Sequence, residues 1–171
     1  MGELSDDLST WTIPGERTKN GAVHVVPLSE PARALLRELL PGDVNEVKRV
    51  ASEALVLPGA ASTPFSGWSK AKAALDRAVA VARGASLAPW SVHDLRRTVA
   101  TGLQRLGVRL EVTEAVLNHI SGSRAGIAGV YQRHDWAAEK RAVLDAWAAH
   151  VLAAAEGQSP TGNVVTLARA G

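Results

Sequence analysis

The sequence predicts an α+β domain, mostly helical, with a small antiparallel sheet at its N-terminal side. Three observations carry this reading. Two short strand-like runs flank the turn signal Asn20-Gly21. From Ser29 onward the apolar residues recur mainly at helical spacing. Polar caps and Gly or Pro stops cut that remainder into separate helices. At 171 residues the chain has the length of one ordinary domain and can bury a core.

Residues 1–9 are polar and acidic, show no periodicity and are expected to be frayed. Thr10-Trp11-Thr12-Ile13 alternates as a strand does, and Val23-His24-Val25-Val26 is β-branched. Together they predict a hairpin with the stretch Arg17-Thr18-Lys19-Asn20-Gly21 near its tip. Ser29 caps a helix with Pro31 close behind it and a stripe of Leu35, Leu36, Leu39 and Leu40, stopped by Pro41-Gly42. Residues 43–53 read as a short helix, 54–57 as a strand and 59–64 as a loop. Ser66 or Ser69 opens a helix to about Arg83, with Gly84 as its stop. Ser91-Val92-His93-Asp94 matches a capping box with Asp in place of Glu, opening a helix that ends at Gly107. Glu111 to Asn118 predicts a further short helix. Residues 121–129, with three glycines and two serines, predict a flexible loop, followed by one helical turn over 130–134. Asp135 caps a long Ala-rich helix to about Ala155, and residues 156–171 are expected to be a disordered tail.

Hydrophobic residues make up 46% and charged residues 21%, a balance outside the range of disordered chains. The apolar runs are too short to span a bilayer, so no membrane partner is expected. No signal peptide opens the chain. The absence of Cys removes disulfides, thiolate metal sites and Cys nucleophiles together. A cytoplasmic protein is expected. Walker, dinucleotide-binding, zincin and serine-hydrolase motifs are absent.

The net charge of +2 hides an asymmetry. Residues 1–65 carry six basic and nine acidic side chains, residues 66–134 ten and four, and residues 135–171 three and four. The positive charge is concentrated in the middle of the chain, as for a polyanion partner. Scattered surface Arg would give the same count.

Three groups of residues have chemical potential. His93 and Arg96, three apart, share a helix face in the first turns, where free N–H groups and the helix dipole favour a phosphate. A merely polar first turn is the alternative. His119 follows the apolar helix ending in Leu117-Asn118, as a C-terminal cap or as a ligand. Tyr131, the only tyrosine, follows the glycine-rich loop. It is placed either to move or to pack its ring under the last helix.

In combination the features are specific. A hairpin Lys19 is followed by His93-Asp94-Leu95-Arg96-Arg97-Thr98, then Leu117-Asn118-His119, then Tyr131. This order resembles the catalytic domain of the tyrosine recombinases, the phage-integrase family, over about Thr10 to Trp147. That family shows a hairpin lysine, an H-x-L-R helix, an L-G-H-like step and a nucleophilic Tyr. The resemblance makes residues 10–155 a partial catalytic domain. It implies that Tyr131 is the nucleophile, Arg96 a phosphate clamp and Lys19 the general acid. It makes His93 the base or a phosphate donor, and His119 a second phosphate donor. Arg97, Lys70, Lys72, Arg124 and Arg133 are expected to contact DNA. No cofactor and no metal are needed. The expected partners are double-stranded DNA and further copies of the chain, joined through the C-terminal helix, with the protein associated with the nucleoid.

The chain departs from the family pattern in three places. Asn118 stands where Gly is usual, and twelve positions separate His119 from Tyr131, a little more than is common. The family's further arginine lies ahead of the first strand, whereas no Arg precedes Arg17 here. The sequence is therefore expected to be a fragment, impaired in cleavage and weak in its salt-dependent DNA binding. A non-catalytic DNA-binding remnant is the alternative. A type IB topoisomerase would share the chemistry, and a helical interaction module would use residues 146–155 to face a partner.

Overall fold

The computed structural model describes residues 2–40, 55–56, 63–119 and 135–158. They fall into two compact units, each taken by itself. One is Arg37–Thr98; the other is Glu3–Leu36 with the described residues from Val99 onward.

The second unit is built on the hairpin. Strands β1 (Thr10–Ile13) and β2 (His24–Pro27) pair antiparallel, with Thr10 opposite Pro27 and Ile13 opposite His24. The connection begins with a 3₁₀ turn over Gly15–Arg17. The Thr18 hydroxyl lies 2.9 Å from the Gly15 carbonyl and 2.8 Å from the Ala22 carbonyl, which closes the tip. Gly21 has φ 73°, in the left-handed region, and a Cβ on Gly15 would strike the Gly21 carbonyl oxygen.

The frayed start expected for residues 1–9 does not hold over Glu3–Ser9. Leu4 bridges Trp11 across the edge of β1. The Ser5 N–H donates to the Thr10 carbonyl at 2.9 Å, and the Thr12 N–H to the Glu3 carbonyl at 2.7 Å. The Trp11 indole N–H donates to Glu3 at 2.9 Å, and Arg17 pairs with the same carboxylate. Leu4 and Leu8 are buried. Their burial outweighs the polarity of the intervening residues, whose backbone groups pair with β1 or within the turn.

The helices, in chain order, are α1 (Glu30–Leu39), α2 (Trp68–Arg83), α3 (Val92–Arg105), α4 (Leu110–Val116) and α5 (Ala137–Ala155). Together with the two-stranded sheet they bear out the α+β, mostly helical expectation. Leu103 on α3 is wholly buried, and Val112 and Thr113 on α4 are buried too. Gly102 is needed for close approach, since a Cβ there would run into the Trp147 ring of α5. Helix α5 packs on β2 and on α4. Its buried Lys140 donates to the Val25 carbonyl at 2.7 Å, and Arg141 donates to the Ser9 carbonyl at 3.0 Å. The N-cap of α5 is Trp136 rather than the expected Asp135, which lies one residue earlier and accepts the Ala137 N–H at 3.1 Å. The intervening Trp136 has φ 56°, with the Arg109 guanidinium 5.2 Å from its ring centre.

Helices α3, α4 and α5 end in one way. The residue after the cap is left-handed: Gly107 at φ 75°, Asn118 at φ 51° and Gly157 at φ 71°. Its N–H and the next one turn back to the last carbonyls of the helix. This is the Schellman arrangement, which satisfies carbonyls the helix leaves open. Residues 156–158 are thus part of a helix terminator, and the expected disordered tail falls, from residue 159, outside the described residues.

In the first unit α2 ends at Gly84, which has φ 69°. Phe65 meets Trp68 edge to face at 4.9 Å. Leu55 and Val56 lie in no strand, contrary to the strand expected over 54–57. The elements expected over 43–53, 121–129 and 130–134 lie outside the described residues.

Candidate active site

In the first unit, the candidate residues sit at the start of α3. Asp94 accepts the Ser91 N–H at 2.8 Å and the Ser91 hydroxyl at 2.8 Å. This is the reach-back half of the expected capping box. These two bonds, and then the Arg97 charge, hold the Asp94 carboxyl below the ordinary aspartate range. Arg97 is exposed but pairs with Asp94 at 3.0 Å, so its expected DNA contact competes with an ion pair on its own helix. His93 and Arg96 lie in the first two turns and are exposed. The local cap fixes the backbone that carries both.

Two lysines of α2 were expected to contact DNA. Lys70 is exposed. Lys72 is committed elsewhere: its ammonium lies 2.6 Å from Asp76 and 4.4 Å from the Trp90 ring centre. The Trp90 indole N–H donates to the same Asp76 carboxylate at 2.8 Å. The bond from Lys72, then that from Trp90, holds the Asp76 carboxyl below its ordinary range. Lys72, Asp76 and Trp90 line an open depression of about 300 Å³ with Arg77 and Leu87. The sequence reading missed this cluster; the i, i+4 spacing of Lys72 and Asp76 was its only visible trace.

In the second unit, the exposed Lys19 stands at the hairpin tip, next to Asn20. The Asn20 Oδ1 accepts the Ala22 N–H at 3.1 Å, closing its own turn. The Asn20 Nδ2 donates to two oxygens of Asn118, the carbonyl at 3.1 Å and Oδ1 at 3.0 Å. The orientation of the amide is fixed by chemistry, because a backbone N–H must meet an oxygen and a carbonyl must meet an NH₂. Asn118 immediately precedes His119. The structure thus joins the turn carrying Lys19 to the turn carrying His119, across 98 residues of sequence.

The Asn118 departure has a physical reason. The position is left-handed, and Asn tolerates that conformation best after Gly. His119 is exposed on its outer side. Its N–H donates to the Glu114 carbonyl at 2.9 Å, and its Nδ1 lies 3.8 Å from the Glu114 carboxylate. That is ion-pair range for an imidazolium and too long for a hydrogen bond. Cap and candidate ligand, the two readings of His119, are compatible: the backbone caps the helix and the ring is left accessible. Tyr131, Arg124 and Arg133 lie outside the described residues.

A sequence model described as the phage integrase family matches residues 1–135, a stretch that contains Lys19, His93, Arg96, His119 and Tyr131. The chain belongs to the phage integrase family. Prophage integrase IntA of Escherichia coli (strain K12) is 30% identical to it over 155 residues, which make up 91% of this chain and 34% of the relative. The chain therefore spans about a third of the length of that integrase. No solved structure gives a significant match. Among the described residues, no helix is long and apolar enough to cross a membrane.

Proposed function

We propose that this chain carries the strand-cleaving residues of a site-specific DNA recombinase. The single observation behind the proposal is the Asn20–Asn118 bridge, which brings the turn bearing Lys19 to the turn bearing His119 in a family member. The capped start of α3, with His93 and Arg96 exposed in its first turns, supports the same reading.

The reaction exchanges one phosphodiester for another. The Tyr131 hydroxyl oxygen attacks phosphorus, the new P–O(Tyr) bond forms, and the bond to the 5′ oxygen breaks. The phenol has an ordinary pKa of about 10 and needs a proton acceptor, the role of His93. Arg96 holds the growing charge on the phosphate with planar, always-charged contacts, and His119 adds a hydrogen bond. Lys19 hands a proton to the departing 5′ oxygen. Attack of a 5′ hydroxyl on the phosphotyrosine reverses each step and reseals the strand. DNA is the partner, attracted by the excess of basic residues in the sequence over 66–134.

The test uses a pool of duplexes with varied core sequence, each nicked so that the released 5′ fragment diffuses away. Adduct is scored on a denaturing gel. Attachment by the chain and none by Tyr131→Phe is the expected result. Salt-sensitive binding of the pool without any adduct would overturn the cleavage reading in favour of a DNA-binding module.

A further inference from the structure

We propose that Asn20 is a positioning residue: its bridge to Asn118 sets the hairpin lysine, Lys19, at a fixed place beside the His119 turn. The inference rests on the cleavage reading above and adds to it a residue that touches neither DNA nor the nucleophile.

Lys19 sits at the tip of a connection of ten residues between the ends of β1 and β2. An exposed tip of that length offers a flexible side chain no fixed origin. Asn20 removes that freedom from both directions. Its Oδ1 accepts from the chain two residues on, at Ala22, and its NH₂ donates to two oxygens of Asn118. One amide therefore uses its acceptor to shape the hairpin and its donors to dock it. Asn118 is held in turn, because its left-handed backbone belongs to the terminator of α4. A third restraint comes from Thr18 on the other side of Lys19, whose hydroxyl shares its one proton between the Gly15 and Ala22 carbonyls. The residues on either side of Lys19 are thus bonded while the lysine itself is exposed. Displacing a reacting group by about 1 Å costs on the order of 10² in rate, so a bridge of this kind bears directly on proton delivery.

Two substitutions break the bridge and keep the turn. Asn20→Asp retains the oxygen that accepts the Ala22 N–H but has no donor for Asn118. Asn20→Ser retains an accepting oxygen without charge and cannot reach Asn118. Each is compared with the unaltered chain and with Lys19→Ala, on the nicked duplex that gives most adduct. A second version of that duplex carries sulfur in place of the bridging 5′ oxygen. A thiolate leaves without needing a proton, so the second duplex bypasses the general acid.

Lys19→Ala is expected to lose about 10²–10³ in attachment rate on the oxygen duplex and to recover on the sulfur duplex. Both Asn20 variants are expected to lose about tenfold to a hundredfold on oxygen and to recover to within about threefold of the unaltered chain on sulfur. Asn20 variants that keep full rate on oxygen, or lose equally on both duplexes, would overturn the inference while leaving the cleavage reading intact. A Lys19→Ala chain at full rate on oxygen, or an unaltered chain that attaches to neither duplex, would remove the cleavage reading and this inference with it.

Discussion

The two units hold their candidate residues in opposite ways. In the second unit, Lys19 and His119 depend on contacts between segments far apart in sequence: Asn20 with Asn118, Lys140 with Val25, Arg141 with Ser9. Leu4, Leu8, Leu103 and Val112 are buried in the same unit. In the first unit, His93 and Arg96 depend on bonds within one helix turn, Ser91 with Asp94 and Asp94 with Arg97. There Leu40 is the buried apolar residue among those described, while Trp68, Leu75, Val81, Val92 and Leu95 are exposed. A helix start can be organised by its own cap. A hairpin tip needs a partner from elsewhere in the chain. Damage to the core should therefore reach Lys19 and His119, whereas damage at the start of α3 should stay local.

Four substitutions or conditions would break or sharpen that contrast. The largest effect should come from Arg96→Ala, with adduct formation reduced by about 10²–10³ and a thermal melt lowered far less than by a core substitution, because Arg96 is exposed. A melting temperature lowered as far as by Leu103→Ala would mean that Arg96 is structural. Next, Leu103→Ala should cost about 2–5 kcal/mol in urea unfolding, since its side chain is wholly buried. Hydrogen exchange in that variant should quicken at the hairpin and at α4. Third, Gly102→Ala should cost about 1–3 kcal/mol in the same measurement, because the new methyl meets the Trp147 ring. A neutral result would show that α5 can shift away without loss.

The smallest effect is a pH dependence of the α3 cap. The folded Asp94 carboxyl lies below its ordinary value of 3.8, so its contribution is fully present above that value. The contribution is lost as pH falls through the lower folded value. Thermal melts of Asp94→Asn between pH 2 and pH 6 should vary less than those of the unaltered chain. Equal slopes would place the acid sensitivity elsewhere, with Asp76, Glu3 and Asp7 as the other lowered carboxylates among the described residues.

What the sequence revealed follows the same division. Local signals were legible: the β-branched runs of the hairpin, the Ser91 cap, and the glycine stops at Gly84 and Gly107. The motif order that places Lys19, His93, Arg96, His119 and Tyr131 in this family was legible for the same reason, since each piece is a short run. Contacts between distant segments were not. Leu4 and Leu8 looked isolated in a polar stretch, because the surface that buries them is assembled only after folding. The sequence reading passed over Gly102, whose role depends on the Trp147 ring from α5. Lys72 counted as a free basic residue until Trp90, eighteen positions on, was seen to share its charge. Asn20 read as turn chemistry alone, which describes its oxygen and leaves out its nitrogen.

The reach of α5 back to the hairpin has a consequence for how the chain is made. Lys140 and Arg141 meet partners 115 and 132 residues earlier, so neither bond exists while the C-terminal helix is still being synthesised. Loop closure grows slowly with length, each doubling adding only about 0.6 kcal/mol, and the second bond forms almost without further closure once the first is made. The hairpin is therefore made 115 residues ahead of the α5 lysine that bonds it. Its docking depends on contact order rather than on local propensity. Synthesis of α5, not of the hairpin, times the joining of the two.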